Sequence, residues 1–355
     1  MVLDGEKRGL LKPGDKIVEA TSGNAGIGLA LAATVRGYKM TVAMPEKMSE
    51  EKANILKGLG ANIIRTPNDA GFDDPRSHIA TSHRLQKEEG FVLLDQYCNP
   101  SNPIAHYDQL AEEILYQCDG KVDAIVVGPG TGGTLTGVSR KIKEKSPNTL
   151  IVSADLLIST MAMPQTLNEG KHPPSKIEGI GFRFIPRTCS RDLVDQWIKV
   201  GDPESFKCAR DLIQKEGLLV GGSSGSIMAA ALKFIKEKGW AGDKTKRVVC
   251  IFPDSIRNYI TNFLSKEWCV KSGFLPYEEL NEEGCIFNEI PLSEMNLPDI
   301  ESYEDLTIGE AKEIFEKGAS IIPLRSNGEI SGVIFPRKFV ELINLKKLKL
   351  TDSAV

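Results

Sequence analysis

The sequence predicts an α/β protein with three layers, in which helices cover both faces of a parallel or mixed sheet. Strand-like and helix-like segments alternate along most of the chain, and this alternation implies βαβ units. Loops rich in glycine and hydroxyl residues separate several apolar strands from the helices that follow them. The hydrophobic content of 41% and the charged content of 26% are ordinary for a globular protein.

The elements are predicted from apolar periodicity and from start and stop signals. In order, they are a strand at 15–20, a helix at 25–38, a strand at 39–45, a helix at 49–60 and a strand at 61–67, followed by pairs of strand and helix within 73–97, 108–127, 134–155, 203–220 and 225–254. Ser49 stands at the N-cap position of the helix 49–60 and Gly60 at its end, which are common helix boundary signals.

The composition of the chain changes after Phe274. Residues 276–300 are acidic and spaced by prolines, as in a linker. The segment from 301 to 355 begins as a helix, a strand, a turn at Asn327-Gly328 and a second strand. We therefore predict a main domain at 1–275, a linker at 276–300 and a small module at 301–355.

Charge and cysteine content exclude several classes of function. The net charge of −4 gives no electrostatic basis for binding nucleic acid or an anionic membrane. The longest apolar stretch, 27–35, is about half of a membrane span, and the first ten residues lack the pattern of a signal peptide. The seven cysteines form no C-x-x-C pair, which indicates reduced thiols rather than disulfides or zinc. We predict a cytoplasmic protein without a metal site.

Three loops share glycine together with serine, threonine or asparagine. They are "EATSGNAGIG" at 19–28, "VVGPGTGGTLTG" at 126–137 and "LLVGGSSGSIMAA" at 218–230. In an open α/β sheet the ligand crevice lies at the carboxyl ends of the strands, where such loops collect. The N–H groups of a glycine-rich turn at a helix start bind anions. Any one of these loops could be a plain turn, but three of them predict a ligand site.

The middle loop allows two interpretations. Its glycines at 128–133 spell G-x-G-x-x-G, and Asp155 follows after a second apolar run, which is the fingerprint of a dinucleotide site in an oxidoreductase that uses NAD. Alternatively, residues 130–134 wrap a single phosphate, and the loop 21–24 and Ser223 contact the ring that carries it. The second interpretation gives a role to all three loops, whereas the first does not.

The chain also resembles a known family. The segments that carry the resemblance are "TSGNAGIGLALAA", "MPEKMS", "LDQYCNPSNPIAHY", "GPGTGGTLTG", "EGIGF", "EGLLVGGSSGS" and "FPDSIRNY", collinear from about residue 4 to 275. They resemble the cystathionine β-synthases, which belong with cysteine synthase to the fold-type II pyridoxal-phosphate family. The resemblance implies the condensation of L-serine with L-homocysteine to cystathionine and water, a step of transsulfuration and cysteine biosynthesis. Residues 303–340 resemble a single partial CBS (Bateman-type) motif.

The resemblance assigns roles to residues at matching positions. Those that match the binding site of the cofactor phosphate are Gly130, Thr131, Gly132, Gly133 and Thr134. Asn24 matches the residue at the 3′ oxygen of the cofactor, and Ser223 matches the one at its pyridine nitrogen. The residues that match the substrate site are Thr21, Ser22 and Asn24 at the carboxylate, with Tyr97 and Gly179 at the border of the pocket.

The chain also departs from the family pattern. The family's Schiff-base lysine lies in an S-x-K-D-R segment upstream of the T-S-G-N loop, and Lys7, Lys12 and Lys16 lack that context. We therefore predict no catalytic residue in this chain, weak or non-covalent binding of pyridoxal phosphate, and no haem. The apolar "SADLLIS" at 153–159 and Phe182 replace a polar turn and a tyrosine that are more usual in the family.

Three functions remain open at this point. The chain could be an incomplete cystathionine β-synthase that is inactive by itself, or a pseudoenzyme that binds a ligand or a partner without turnover. The remote alternative is the oxidoreductase that uses NAD. The resemblance implies an amino acid as the small-molecule ligand (serine, homocysteine or cysteine) and a homodimer as the assembly.

Overall fold

The structure is a computed structural model that describes residues 1–275 except Ser22 and Phe72, and parts of the segment 310–334. The parts described in that segment are 310–311, 313–314, 322–326 and 329–334. The chain divides into two compact units, Met1–Pro276 and Tyr277–Val355. The three loops that the sequence assigns to a ligand site all lie in the first unit.

The first unit mostly alternates helices and strands, as predicted. The strand predicted within 203–220 does not form in this described part of the chain, where Val220 makes only an isolated bridge to Ser255. Its helices are α1 (Val2–Lys7), α2 (Asn24–Arg36), α3 (Glu50–Gly58), α4 (His78–Glu89), α5 (Ser101–Ala105), α6 (Ala111–Gln117), α7 (Gly133–Lys145), α8 (Asp202–Glu216), α9 (Gly222–Glu237) and α10 (Lys266–Lys271). Its strands are β1 (Lys16–Ala20), β2 (Lys39–Pro45), β3 (Asn62–Thr66), β4 (Val92–Leu93), β5 (Ala124–Val127), β6 (Leu150–Leu156), β7 (Gln196–Val200) and β8 (Val248–Cys250).

These strands form two four-stranded sheets, in the orders β3-β2-β1-β4 and β7-β6-β5-β8. Every neighbouring pair in both sheets is parallel. The parallel α/β fold predicted from the alternation of elements is therefore confirmed. Because parallel strands end at the same edge of a sheet, the loops that follow β5, β6 and β8 lie side by side.

The second sheet is covered on both faces. Ala124 and Val126 of β5 pack into one hydrophobic cluster, whereas Ile125 and Val127 pack into another. Alternate residues of a strand point to opposite faces, so each face of this sheet has its own apolar core. This arrangement is the three-layer architecture that the sequence predicts.

Three local features differ from the sequence expectation or were missing from it. Ser49 does occupy the N-cap of α3, but its side chain makes no capping hydrogen bond. β7 was not predicted, because Lys199 interrupts its apolar run "QWIKV". A π-helical segment, His106–Leu110, continues α5 into α6, and it was not predicted either.

The described part of the second unit includes a pair of antiparallel strands, β9 (Ile322–Ser326) and β10 (Glu329–Ile334). This pairing confirms the two predicted strands. The predicted turn at 327–328 and the linker 276–300 lie outside the described residues, and the CBS-motif assignment stays a prediction. Among the helices that the structure describes, none has the length and apolar character needed to cross a membrane.

Candidate cofactor and substrate site

The loop between β5 and α7, residues 128–132, brings the chain into the first turn of α7 with glycines at its tightest points. Gly132 has a φ of 82°, a left-handed conformation that favours glycine. A Cβ atom on Gly130 would overlap the carbonyl oxygen of Gly179, and one on Gly133 would overlap the side chain of Asn102. The close packing of this loop therefore requires glycine at these positions.

The start of α7 presents N–H groups that are not used within the protein. Among the residues that the structure describes, none accepts a hydrogen bond from the N–H of Gly132 or Thr134. The N–H of Gly133 lies 3.5 Å from Thr131 Oγ1, at the limit of a hydrogen bond. Unpaired N–H groups and the helix dipole favour an anion at this point. The site predicted at 130–134 therefore fits a phosphate group.

Neighbouring segments hold the two threonines of this site. Asn102 Nδ2 donates to Thr131 Oγ1 over 2.9 Å, and Thr188 Oγ1 donates to the Thr131 carbonyl oxygen over 2.6 Å. His106 Nε2 lies 3.1 Å from Thr134 Oγ1, and burial lowers the pKa of this imidazole. None of these three partners was predicted as a site residue, although Asn102 and His106 lie in the motif "LDQYCNPSNPIAHY".

Ser223 lies in the first turn of α9 and is 2% exposed. Its hydroxyl takes part in no hydrogen bond with the described part of the chain, and the buried hydroxyl of Ser224 has no partner there either. The N–H of Gly221 donates to the Asp254 carbonyl oxygen over 3.2 Å. Because Asp254 follows β8, the start of α9 lies at the same sheet edge as the β5–α7 loop.

The loop after β1 has two different roles. Thr21 Oγ1 accepts from the N–H of Gly26 at 3.1 Å, so this hydroxyl stabilises the first turn of α2, and its substrate role stays a prediction. Asn24 Nδ2 donates to Asp254 Oδ2 over 3.2 Å, and Asn24 Oδ1 accepts from Asn258 Nδ2 at 3.3 Å. Asn24 therefore connects α2 to the segment that follows β8. Ser22 lies outside the described residues.

A buried cation, which the sequence analysis did not consider, lies next to these residues. Lys52 is 1% exposed and donates to Glu178 Oε2 over 2.7 Å and to the Tyr259 hydroxyl over 2.8 Å. That hydroxyl donates in turn to Asp254 Oδ2 over 2.6 Å. Lys52 of α3 thus links Glu178, the residue before Gly179, through the Tyr259 hydroxyl to Asp254. Asp254 is also the residue that accepts from Asn24.

Tyr97 packs within a cluster of aromatic rings. Its ring lies edge-on to Phe182 and Phe184, with centroids 5.9 Å and 5.4 Å away, and burial raises the pKa of its hydroxyl. The Phe182 carbonyl oxygen accepts from Ser159 Oγ at 3.0 Å, which connects this cluster to the turn after β6. Gly179, with a φ of 90°, begins the turn that leads to Phe182.

Asp155 is not part of the site. Its Oδ2 pairs with Lys199 Nζ at 2.8 Å, and its Oδ1 is buried from solvent. Lys199 also donates to the carbonyl oxygens of Leu156 and Ser159. Burial raises the pKa of Asp155. A carboxylate enclosed in this way cannot reach a ribose, so the dinucleotide interpretation loses its acidic residue and is wrong. Leu156, the next residue, lies in the core at 2% exposure.

The lysines near the amino terminus are exposed, and Lys16 lies at the opposite end of β1 from Thr21. Lys7, Lys12 and Lys16 are all exposed. Lys16 begins β1 and its Nζ lies over the Phe91 ring, 5.3 Å from the centroid. It therefore occupies the amino end of a strand whose carboxyl end leads to Thr21.

Comparison with known proteins points to one family. Residues 1–254 match the family model described as "Pyridoxal-phosphate dependent enzyme". The chain is 53% identical over 279 residues to cystathionine beta-synthase of Dictyostelium discoideum, covering 78% of this chain and 55% of that protein. It is 52% identical to cystathionine beta-synthase of Rattus norvegicus, covering 78% and 49% of the two chains. The chain thus spans about half the length of these two relatives.

Two further matches cover most of the length of the matched protein. Cysteine synthase A of Escherichia coli (strain K12) is 42% identical over 269 residues, covering 74% of this chain and 81% of that protein. The crystal structure of O-ureido-L-serine synthase matches with a TM-score of 0.67 and 31% identity, covering 76% of this chain and 84% of that chain. The resemblance inferred from the sequence motifs is confirmed by these matches.

Proposed function

Since this chain belongs to the family of pyridoxal-phosphate-dependent enzymes, we propose that it binds the cofactor at residues 130–134 and takes amino acids as cystathionine β-synthases do. The family reaction joins L-serine and L-homocysteine to form cystathionine and water. Pyridoxal phosphate is the cofactor of the family. The specific amino acids and the reaction are proposals.

One observation carries this proposal: donors without protein partners meet at one sheet edge. The N–H groups of Gly132 and Thr134 and the hydroxyl of Ser223 are unpaired within the described residues. Gly132 and Thr134 follow β5, and Ser223 follows Val220, which forms a bridge to Ser255 after β8. β5 and β8 are neighbours in one parallel sheet. Buried polar groups are normally paired, so this set supports a polar ligand with a phosphate at one end and a ring at the other.

Different residues of the site would bind different parts of that ligand. The N–H groups at the start of α7 and the hydroxyls of Thr131 and Thr134 would hold the phosphate dianion. Ser223 would offer a neutral hydroxyl to the pyridine nitrogen, and such a group does not enforce ring protonation. Asn24, held by Asp254 and Asn258, would present its amide to the 3′ oxygen.

Bound pyridoxal phosphate supplies an electron sink that assists departure of a leaving group from an amino acid. The chain's own contribution is to orient the amino acid and exclude water. The loop 21–24 would orient the carboxylate, and the aromatic cluster of Tyr97, Phe182 and Phe184 would shield one side of the pocket. A neutral hydroxyl at the ring nitrogen is suited to β-replacement.

We further propose that these 355 residues bind the cofactor without a covalent bond and have no turnover by themselves. The exposed positions of Lys7, Lys12 and Lys16 support this proposal, as does the engagement of Lys52 by Glu178 and Tyr259. Loss of a general base costs about 10²–10⁴-fold in rate, and the covalent step is lost as well. The second candidate, a pseudoenzyme that binds ligand or partner, rests on the same observation.

Two measurements test the proposed function. The first titrates the chain with pyridoxal phosphate by fluorescence, then reduces the mixture with borohydride and maps the peptides. We expect saturable binding without a stoichiometric pyridoxyl adduct. An adduct on one lysine would contradict the non-covalent mode, and a lack of saturable binding would reject the cofactor site. The second follows cystathionine formation from serine and homocysteine, with a full-length relative as the positive control. A rate within about tenfold of that relative would contradict the proposed lack of turnover.

The remaining expectations from the sequence stay proposals. A homodimer is proposed because the family usually dimerises, and a cytoplasmic location because the cysteines show the pattern of reduced thiols. Cys98, Cys118, Cys189, Cys208 and Cys250 are free thiols in the structure. Sedimentation at several protein concentrations would test the dimer.

A further inference from the structure

Asn102 uses both hydrogens of its side-chain amide on groups around the proposed phosphate site. Its Nδ2 donates to the Gln96 carbonyl oxygen and to Thr131 Oγ1, each over 2.9 Å. A carbonyl oxygen can only accept, so the atom that faces Gln96 must be the amide nitrogen and not the amide oxygen. The second contact of that nitrogen therefore makes Thr131 Oγ1 an acceptor.

This contact determines what the Thr131 hydroxyl can do. A hydroxyl has one hydrogen to donate and two lone pairs. Asn102 occupies one lone pair, and the N–H of Gly133 approaches the same oxygen at 3.5 Å. The structure shows no described acceptor for the hydrogen of this hydroxyl. That hydrogen is left for a ligand, and a phosphate dianion offers only acceptors.

We propose that Asn102 is a positioning residue that fixes the direction of the Thr131 hydroxyl, so that it donates to the cofactor phosphate. This inference rests on the proposed phosphate site at 130–134. Asn102 touches no reacting atom and acts through Thr131 alone. Its effect on binding therefore requires the phosphate and requires the Thr131 hydroxyl.

The packing of α5 against α7 gives Asn102 a fixed location. A Cβ atom on Gly133 would overlap the Asn102 side chain, and one on Gly137 would overlap the carbonyl oxygen of Pro103. His106, four residues after Asn102, contacts the other threonine of the site, Thr134. Residues four apart lie on one helical face, so one face of this segment contacts both threonines.

The experiment is a double-mutant cycle on the 355-residue chain with two ligands, pyridoxal phosphate and pyridoxal, which lacks the phosphate. The variants are Asn102→Ala, Thr131→Val and the pair together, with dissociation constants measured by fluorescence titration. A hydrogen bond to a charged group supports an effect of about tenfold, so we expect Asn102→Ala to weaken pyridoxal phosphate by about that factor. In the Thr131→Val background, Asn102→Ala should raise the dissociation constant for pyridoxal phosphate by less than about twofold. Pyridoxal binding should stay within about twofold in all variants.

Asn99→Ala is the matched control. Asn99 Nδ2 also donates to a main-chain carbonyl, that of Leu94 at 2.8 Å, in the same segment of the chain. It has no contact with Thr131, so its substitution should change stability without changing the ratio of the two affinities. Asn102→Asp is the second variant in case Asn102→Ala fails to fold. Asn102→Asp keeps the shape of the side chain but removes its N–H donors. It should therefore weaken pyridoxal phosphate binding at least as much as Asn102→Ala does.

The outcomes separate this inference from the proposed function. If Thr131→Val leaves pyridoxal phosphate affinity unchanged, the phosphate site itself is wrong. If Thr131→Val weakens binding but Asn102→Ala does not, the site stands and the positioning role is wrong. Equal weakening of both ligands by Asn102→Ala would show a merely structural role, and it would overturn the inference as well.

Discussion

The turns after β5 and β6 stand next to each other in one parallel sheet, yet the structure gives them opposite properties. After β5, the N–H groups of Gly132 and Thr134 have no acceptor among the described residues. At the carboxyl end of β6, Asp155 is enclosed, with its Oδ2 paired to Lys199 at 2.8 Å. The G-x-G-x-x-G pattern followed by an acidic residue would assign both turns to a single ligand. The structure supports a ligand at the first turn alone.

The difference between these two turns comes from their neighbours. β7 brings Lys199 alongside Asp155, and its ammonium also satisfies two carbonyl oxygens of the turn. On the other side, α5 brings Asn102, which donates to Thr131. The N–H groups of Gly132 and Thr134 remain without an acceptor among the described residues. A turn at a sheet edge thus becomes a binding site only if the adjacent elements leave its donors free.

The largest expected effect is that of Asp155→Ala on stability. Removing one partner of a buried ion pair leaves an uncompensated charge on Lys199 and typically costs about 3–5 kcal/mol. Because Asp155 does not face the ligand, pyridoxal phosphate affinity should be unchanged in the folded variant. Urea unfolding and cofactor titration measure the two effects. The control is Asp211→Ala, in the exposed pair Lys207–Asp211, which should cost less than about 1 kcal/mol. Loss of cofactor binding with intact stability would contradict the comparison.

Thr131→Val should show the reverse of Asp155→Ala, with the effect on cofactor affinity rather than on stability. A hydrogen bond to a charged group contributes about 1.5–3 kcal/mol, so pyridoxal phosphate should bind roughly tenfold or more weakly. NAD should show no saturable binding to either protein. Titration of the wild type and the variant with both cofactors provides the measurement. Tight NAD binding that depends on Asp155 and ignores Thr131 would restore the dinucleotide interpretation.

Gly133→Ala should destabilise the start of α7, because its Cβ would overlap the side chain of Asn102. Overpacking of this kind costs about 1–3 kcal/mol. Gly28→Ala is the matched control, since Gly28 lies within α2 and a Cβ there meets nothing within 4 Å. In that position alanine should stabilise the helix by about 0.5–1 kcal/mol. Thermal unfolding of both variants would show opposite shifts, and shifts of the same sign would refute the packing argument.

The last expected effect concerns a buried carboxyl that has no lysine partner among the described residues. Glu19 of β1 is fully buried; its Oε1 accepts from the N–H of Gln96 at 3.0 Å, and its Oε2 has no partner in the described chain. Burial raises the pKa of Glu19 from 4.5 to about 8. The unfolded chain therefore loses this proton first as the pH rises. The stability associated with protonated Glu19 is complete below about pH 4.5 and is lost as the pH rises through about 8.

Glu19→Gln removes this titration and so tests it. The free energy of unfolding of the wild type, relative to that of the variant, should fall between about pH 4.5 and 8. Urea unfolding at intervals across that range measures the difference. A constant difference across the range would mean that Glu19 does not titrate there.

Local sequence patterns determined the fold class and predicted a phosphate site at 130–134. The alternation of strand and helix, the apolar runs and the glycine-hydroxyl loops all act through neighbouring residues along the chain, and the parallel sheets confirm what they predict. The shape of the β5–α7 loop is local for the same reason, because glycine permits the left-handed φ at Gly132. The roles of the individual site residues stay predictions.

Only the tertiary structure decided which polar groups remain free. The sequence places Asp155 at the spacing of a ribose ligand, but β7 pairs it with Lys199, 44 positions later in the chain. It likewise gave no sign that Asn102 meets Thr131, or that Lys52 lies buried between Glu178 and Tyr259, 126 and 207 positions away. Such contacts depend on packing between segments distant in the chain, and a local pattern does not encode the identity of the partner. The availability of a donor or a charge is therefore a property of the folded molecule, whereas the turn that carries it is a property of the sequence.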